Sequence, residues 1–263
     1  MRHLIAIGIT CAAFTLPAGA TTFTTDASDL WFNPSEQGWG MNVIQQDDTL
    51  FITLFVYSSA GNATWYVGPA TTFQGDQGNS QIYTGPLYQT VGPWFGGPFN
   101  PGAVGNRQVG TVTFKYDFIN GATLTYVVDG VSVLKQVQRQ TWKTNDIAGT
   151  YLGATIGTYT GDCGPSTGYA EEPATVTVTQ SVSSVTIVAS GVSATCTYSG
   201  AYFQDGRMGS INGSFACSNG GAGTFQAFEI EASPQVLAGR ANSQFAGTSC
   251  TWSGRFGGLR RGN

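Results

Sequence analysis

Charge is scarce in this chain. Asp, Glu, Lys and Arg together make up 10% of 263 residues, against roughly 25% in an average soluble domain. Histidine is scarcer still: the only one is His3, and it falls in a segment that reads as a cleaved signal peptide. Arg2 gives that segment its positive start, Leu4 to Phe14 its short apolar run, and Ala18-Gly19-Ala20 its small-residue cleavage pattern. Cleavage is expected after Ala20, which places the remaining chain in the periplasm or outside the cell. Gly8-Ile9-Thr10-Cys11 is only a faint lipoprotein signal. Once His3 is removed, no Ser-His-Asp or Cys-His site and no His-ligated zinc can be assembled. No later run reaches about 18 apolar residues, so no membrane-spanning helix is expected. Calcium-loop, phosphate-loop and flavin motifs are missing as well, so neither a metal nor a cofactor is expected.

Basic stripes are also missing. Leaving out Arg2, ten Lys and Arg face fifteen Asp and Glu, a net charge of −5. This excludes nucleic acid as a partner, since its phosphates demand a basic surface. The tail Arg255, Arg260 and Arg261 is too small to reverse that. Contact with the cell envelope stays open.

Aromatic residues, by contrast, make up 13% of the chain, and glycine is abundant at 37 residues. Disordered chains lack that many large apolar side chains. The pattern is that of short strands divided by turns. Runs from Met41 to Gln46, Leu50 to Tyr57, Thr64 to Val67, Gln81 to Tyr88, Gln108 to Phe118, Ala122 to Val128 and Val131 to Trp142 give about seven strands. Asp47-Asp48, Asn120-Gly121 and Asp129-Gly130 mark turns between them. Leu50 to Tyr57 is apolar on both faces, so it is buried on both sides or carries an aromatic patch. Residues 89 to 106, with three prolines and with Trp94 and Phe95, read as a long loop. Eight further strands follow between Gly149 and Phe256, at even spacing.

Composition changes near residue 145: five of the six tryptophans precede it, and Cys163, Cys196, Cys217 and Cys250 follow it. The expected organisation is a signal peptide over 1–20, an aromatic-rich barrel over 21–145 and a disulfide-containing barrel over 146–263. The fold class is all-β: two consecutive antiparallel up-and-down barrels of about seven to eight strands each. Four cysteines in an exported chain read as two disulfides rather than zinc, because no close C-x₂-C pair exists. The Asp205-Gly206 hairpin sets Cys196 beside Cys217, and barrel closure sets Cys163 beside Cys250. Those are the expected pairs among three possible connectivities. Cys196-Thr197-Tyr198-Ser199-Gly200-Ala201-Tyr202 and Cys250-Thr251-Trp252-Ser253-Gly254-Arg255-Phe256 repeat one pattern, as if two strands solved the same packing problem.

Within Asp29–Gly40, which reads as an aromatic-rich loop feeding the first strand of a barrel, the densest stretch is Trp31-Phe32-Asn33-Pro34-Ser35-Glu36-Gln37-Gly38-Trp39-Gly40. With Phe55-Val56-Tyr57-Ser58-Ser59-Ala60-Gly61, Thr64-Trp65-Tyr66, Ile147-Ala148-Gly149-Thr150-Tyr151 and the Gly-Arg-Phe-Gly-Gly-Leu-Arg-Arg end, it resembles an uncharacterised family of secreted proteobacterial β-proteins. The resemblance covers most of the chain and implies secretion and sheet, not an activity. A looser similarity to lipocalin-like and avidin-like barrels is one of topology.

The candidate ligand-binding residues are Trp31, Asn33, Glu36, Trp39, Trp94 and Phe95. Indole faces with an amide and a carboxylate suit a small apolar ligand or a glycan. The competing reading makes Trp31 and Trp39 a plug in the barrel end and makes Asn33 and Glu36 loop caps. Trp65 and Tyr66 face opposite sides of their strand, and Trp252 and Tyr198 read as core. Two further functions stay open. One is a structural or cell-surface interaction module without a small ligand. The other is a histidine-free glycoside hydrolase using Glu36 with Asp29, or Glu171 with Glu172, although adjacent residues face apart on a strand and Glu-Glu-Pro reads as a solvated loop. No catalytic residue is assigned.

Overall fold

A computed structural model describes residues 26–78, 80–117 and 121–262. The segment expected to be a signal peptide, with His3 and Cys11, and Asn120 of the expected Asn120-Gly121 turn lie outside the described residues. Alternating apolar and polar positions form eight strands in the first part of the chain: β1 Asp29–Phe32, β2 Gly40–Gln46, β3 Thr49–Tyr57, β4 Ala63–Gln77, β5 Ser80–Val91, β6 Gly105–Tyr116, β7 Ala122–Val128 and β8 Val131–Arg139. Each pairs antiparallel with the next, and β8 returns to β1 through Trp31↔Arg139 and Phe32↔Gln138, closing the barrel. Met41, Ile52, Leu54, Tyr83, Phe114 and Leu124 point inward and are buried.

Two readings of this half need correction. Asp29–Phe32 is a strand rather than loop, because barrel closure supplies a partner on either side of it. The long loop shrinks to 92–104, since β5 and β6 stay paired out to Val91↔Gly105. Of the two readings of the strand at Leu50–Tyr57, the aromatic patch holds: Phe51, Phe55 and Tyr57 face outward and are exposed, with Trp65 opposite Phe55.

The second barrel consists of β9 Gly149–Thr160, β10 Gly168–Ser181, β11 Ser184–Gly191, β12 Thr195–Asp205, β13 Met208–Cys217, β14 Ala222–Ala232, β15 Val236–Phe245 and β16 Thr251–Arg260. It closes where β16 pairs with β9 over ten residue pairs from Thr251↔Thr160 to Arg260↔Tyr151. Disulfides join Cys163 to Cys250 and Cys196 to Cys217. The repeated seven-residue pattern now has a spatial meaning. Its two copies are β12 and β16, which stand opposite each other in the ring. Cys217 follows Cys163, and Cys250 follows Cys196, by the same 54 residues (217 − 163 and 250 − 196). The second barrel is therefore pseudo-two-fold, with one disulfide clip on either side of the same rim. Within each copy the cysteine, the first aromatic, the glycine and the last aromatic face inward. Gly254 is required there: a Cβ would sit 2.6 Å from the Trp252 ring and overlap the Ile156 carbonyl oxygen.

The barrels meet where β1 begins and β8 ends. Asp29 accepts from Arg139 at 3.0 Å and from the Arg207 backbone N–H at 2.9 Å, while Arg207 also donates from Nε to the Ser28 carbonyl. Thr141 Oγ1 accepts from the Gly206 N–H at 2.9 Å. Gly206 has φ +58, and a Cβ there would overlap Asp29 Oδ2, so the close approach of the β12–β13 turn demands glycine. Beside this turn, burial pushes the Asp205 carboxyl up to about 6, with the Asp29 charge adding and the Arg139 charge opposing. A raised folded pKa means that the native state holds the proton more tightly than the unfolded chain. The stability contributed by Asp205 is therefore full below the ordinary carboxyl value of 3.8 and is lost as pH rises towards 6. Asp205→Asn should remove that component. Denaturant midpoints of both proteins between pH 4 and 6.5, the window set by those two values, should show the variant gaining on the wild type as pH rises. Parallel curves would refute the assignment.

Candidate ligand-binding site

Because β1 runs outward from the joint, the β1–β2, β3–β4, β5–β6 and β7–β8 connections all gather at the far rim of the first barrel. The β1–β2 and β5–β6 loops lie on opposite sides of that rim, as the strand order dictates.

Trp31 does not reach the rim. It is 1% exposed, lies edge-on to Phe114 and Tyr116 with ring centroids 5.2 and 5.5 Å away, and donates from Nε1 to the Ala27 carbonyl at 3.0 Å. The Arg139 guanidinium stacks on it at 4.8 Å. It packs the joint-side interior, because β1 is a strand and its alternation turns Trp31 inward. Asn33 builds the turn itself, its Oδ1 accepting the Ser35 N–H at 2.8 Å.

Glu36 and Trp39 do come together. Trp39 Nε1 donates to Glu36 at 3.0 Å, Lys135 donates to the same carboxylate at 2.9 Å, and the Lys135 ammonium lies 5.8 Å from the centre of the Trp39 ring. The hydrogen bond from Lys135 holds the Glu36 carboxyl below its ordinary range. Lys135 was not a sequence candidate. It faces inward from β8 and meets Glu36 across 99 residues of sequence, a separation that leaves no local signal. Tyr57 closes the loop by donating to the Gly38 carbonyl at 2.9 Å. Trp39, Tyr66 and Tyr126 are half-buried against the top of the core. Burial raises the Tyr126 phenol, and the Tyr66 and Glu36 charges add to it.

Opposite them, Trp94 is 71% exposed, Phe95 96% and Phe99 72%. The Trp94 and Phe95 rings lie 5.8 Å apart. The loop that carries them, residues 92–104, contains no charged residue. The rim thus holds three exposed aromatic residues at one side and a satisfied carboxylate–ammonium–indole cluster at the other. Such a set can stack on a flat face and direct a few hydrogen bonds.

The carboxylate pairs suggested for hydrolysis do not form. Asp29 sits at the joint with Arg139 and Arg207, and Glu36 sits beyond the other end of β1 with Lys135. Glu171 and Glu172 lie on β10, not in a solvated loop, because that strand runs on past Pro173 with Pro173↔Ala154 in register. They face apart: Glu171 accepts from the Tyr169 hydroxyl outside, while Glu172 alternates with the inward Ala174, Val176 and Val178.

Among the described residues no helix is long and apolar enough to cross a membrane, and no group of three His, Cys, Asp or Glu residues could hold a metal ion. The two disulfides fit a location outside the reducing cytoplasm. No protein-family model matches the chain, and no curated protein matches it. Among solved structures, a Bacteroides fragilis protein, assigned provisionally to the outer membrane, is 13% identical over 85% of this chain and 95% of its own, with a TM-score of 0.34. A protein of unknown function from the DUF3598 family of Nostoc punctiforme is 11% identical over 90% of this chain and 94% of its own, with a TM-score of 0.25. These are distant likenesses, and no site residue transfers from either.

Proposed function

We propose that this is an exported binding protein that holds a small apolar or glycan ligand at the far rim of its first barrel. The observation that carries this reading is the Trp94–Phe95 pair, exposed on an uncharged loop across the rim from the Glu36–Lys135–Trp39 cluster. Large exposed aromatics on a positioned loop mark a recognition surface more often than a packing accident. Trp94 and Phe95 supply stacking area. Trp39 adds a half-buried ring, and Asn33 and Glu36 offer polar contacts beside it. Trp31, sealed on the joint side, takes no direct part.

A tryptophan-fluorescence screen of the full chain against glycans and lipids tests this. At least one class should shift the emission saturably. The double variant Trp94→Ala, Phe95→Ala should weaken that binding at least tenfold, about 1.4 kcal/mol, while stability changes by less than about 0.5 kcal/mol, as for other exposed positions. A flat response across the panel would count against the reading.

The outward apolar stripe of Ile44, Phe51, Phe55, Tyr57 and Trp65 favours a second reading, an interaction module without a small ligand. Light scattering of the protein alone and with cell-envelope fractions separates the two: association abolished by Phe55→Ser, Trp65→Ser supports the module.

A further inference from the structure

Both barrels are packed inside. The first is sealed by Met41, Leu50, Ile52, Leu54, Phe114 and Leu124 at 0% exposure, and the second is sealed near the joint by residues such as Tyr151, Val178, Val185 and Ile211. At the disulfide-bearing rim of the second barrel Phe215, Phe225 and Cys250 are buried too, while the opposite wall is more open. Towards the disulfide-bearing rim the inward positions Ala174 and Val176 on β10, and Ile187 and Ala189 on β11, are half-exposed. Small side chains on those two strands face a wall of rings. Tyr198 lies 5.5 Å from Phe215 and 5.1 Å from Phe225, and Tyr159 lies 6.0 Å from Phe245. Trp252 lies beside Tyr159 on the paired strand, its indole covering Gly157.

One charged side chain faces into this mouth, Glu172. One of its oxygens accepts the Ser193 N–H at 2.8 Å, and its stem lies against Gly191, where any Cβ would collide with it. No Lys or Arg pairs with it among the described residues, whereas Glu36, Asp29, Asp129, Glu229 and Glu231 each have a cationic partner. By strand alternation the carboxylate shares the inward face with the Tyr159 and Tyr198 phenols. Burial raises both Tyr159 and Tyr198, and the Glu172 charge raises each further. A half-exposed carboxylate at the edge of an aromatic wall creates a negative potential next to electron-rich ring faces, the combination that attracts an organic cation.

We infer that the disulfide-clipped mouth of the second barrel is a binding site for a small organic cation, an amine or quaternary ammonium, with Glu172 as its counter-ion and Tyr159, Tyr198 and Trp252 as its ring faces. The site is separate from the rim of the first barrel and stands independently of that reading. The two disulfides tie neighbouring strands at opposite points of the rim.

Choline and its neutral isostere 3,3-dimethylbutan-1-ol are the probes, titrated into the oxidised full chain and followed by amide NMR shifts. Choline should shift the Ser193, Tyr159 and Tyr198 amides saturably, and the isostere should bind at least tenfold more weakly. Glu172→Gln, which keeps an oxygen for the Ser193 N–H and so preserves the fold, should lose choline binding at least tenfold. Trp94→Ala, Phe95→Ala should leave it unchanged. Equal binding of the isostere, unaltered affinity in Glu172→Gln, or shifts confined to the first barrel would each overturn the inference.

Discussion

Replacing Trp31 by alanine is expected to destabilise the first barrel by about 3–5 kcal/mol, the usual cost of deleting a buried large aromatic. The indole is 1% exposed and fills the interior against Phe114, Tyr116 and the Arg139 guanidinium. Its removal leaves a cavity at the strand that closes the barrel, where β1 contributes only two pairs to β8. It also strips Arg139 of one stacking face, although that group keeps Asp29, Tyr116 and the Ser28 and Asp26 carbonyls. Urea unfolding read by the near-ultraviolet signal of the aromatic-rich barrel measures the loss. An effect below about 1 kcal/mol, the scale of a typical surface change, would mean that Trp31 is not the packing centre described.

Losing the Cys163–Cys250 disulfide should be the second large effect, and larger than losing Cys196–Cys217. The first closes 87 residues and ties β9 to β16, the seam of the barrel; the second closes 21 within one hairpin. On the chain-entropy scale these correspond to about 4–5 and about 3 kcal/mol. Ser pairs at each site, compared by denaturant unfolding of the second barrel, should preserve that order, and mild reduction should lower its transition without moving that of the first barrel. The order follows from loop length alone, so its reversal would show that native packing around the hairpin disulfide outweighs chain entropy. Cys196 and Cys217 face each other directly across β12 and β13, so Ser at those positions leaves the strand pairing intact.

Architecture was legible in the residues because its causes are local. Alternation such as Thr175-Val176-Thr177-Val178 needs no distant information to specify a half-buried strand, and Asp129-Gly130 adopts the positive φ values that a tight hairpin requires. Even spacing then made closure the natural outcome, and closure placed the cysteines. Asp29–Phe32 escaped because four residues flanked by Asn-Pro give little alternation to read, and only the neighbours β2 and β8 make them a strand.

The candidate site was legible in part, for the same reason. The exposure of Trp94 and Phe95 followed from a proline- and glycine-rich loop that offers no core to enter. The residue types of the Trp31–Trp39 block were plain, but not which way each ring turned. The residues of this chain alone determined two successive sheets and their turns, since those depend on neighbours along the chain, and the cross-links followed from the closure that even strand spacing implies. Only the tertiary structure decided that Trp31 lies sealed beneath Arg139, that Glu36 meets Lys135, and that Glu172 faces inward without a cation. Burial and charge pairing are set by what closure brings across the barrel, and residues 99 positions apart, as Glu36 and Lys135 are, carry no mark of each other until the ring is shut.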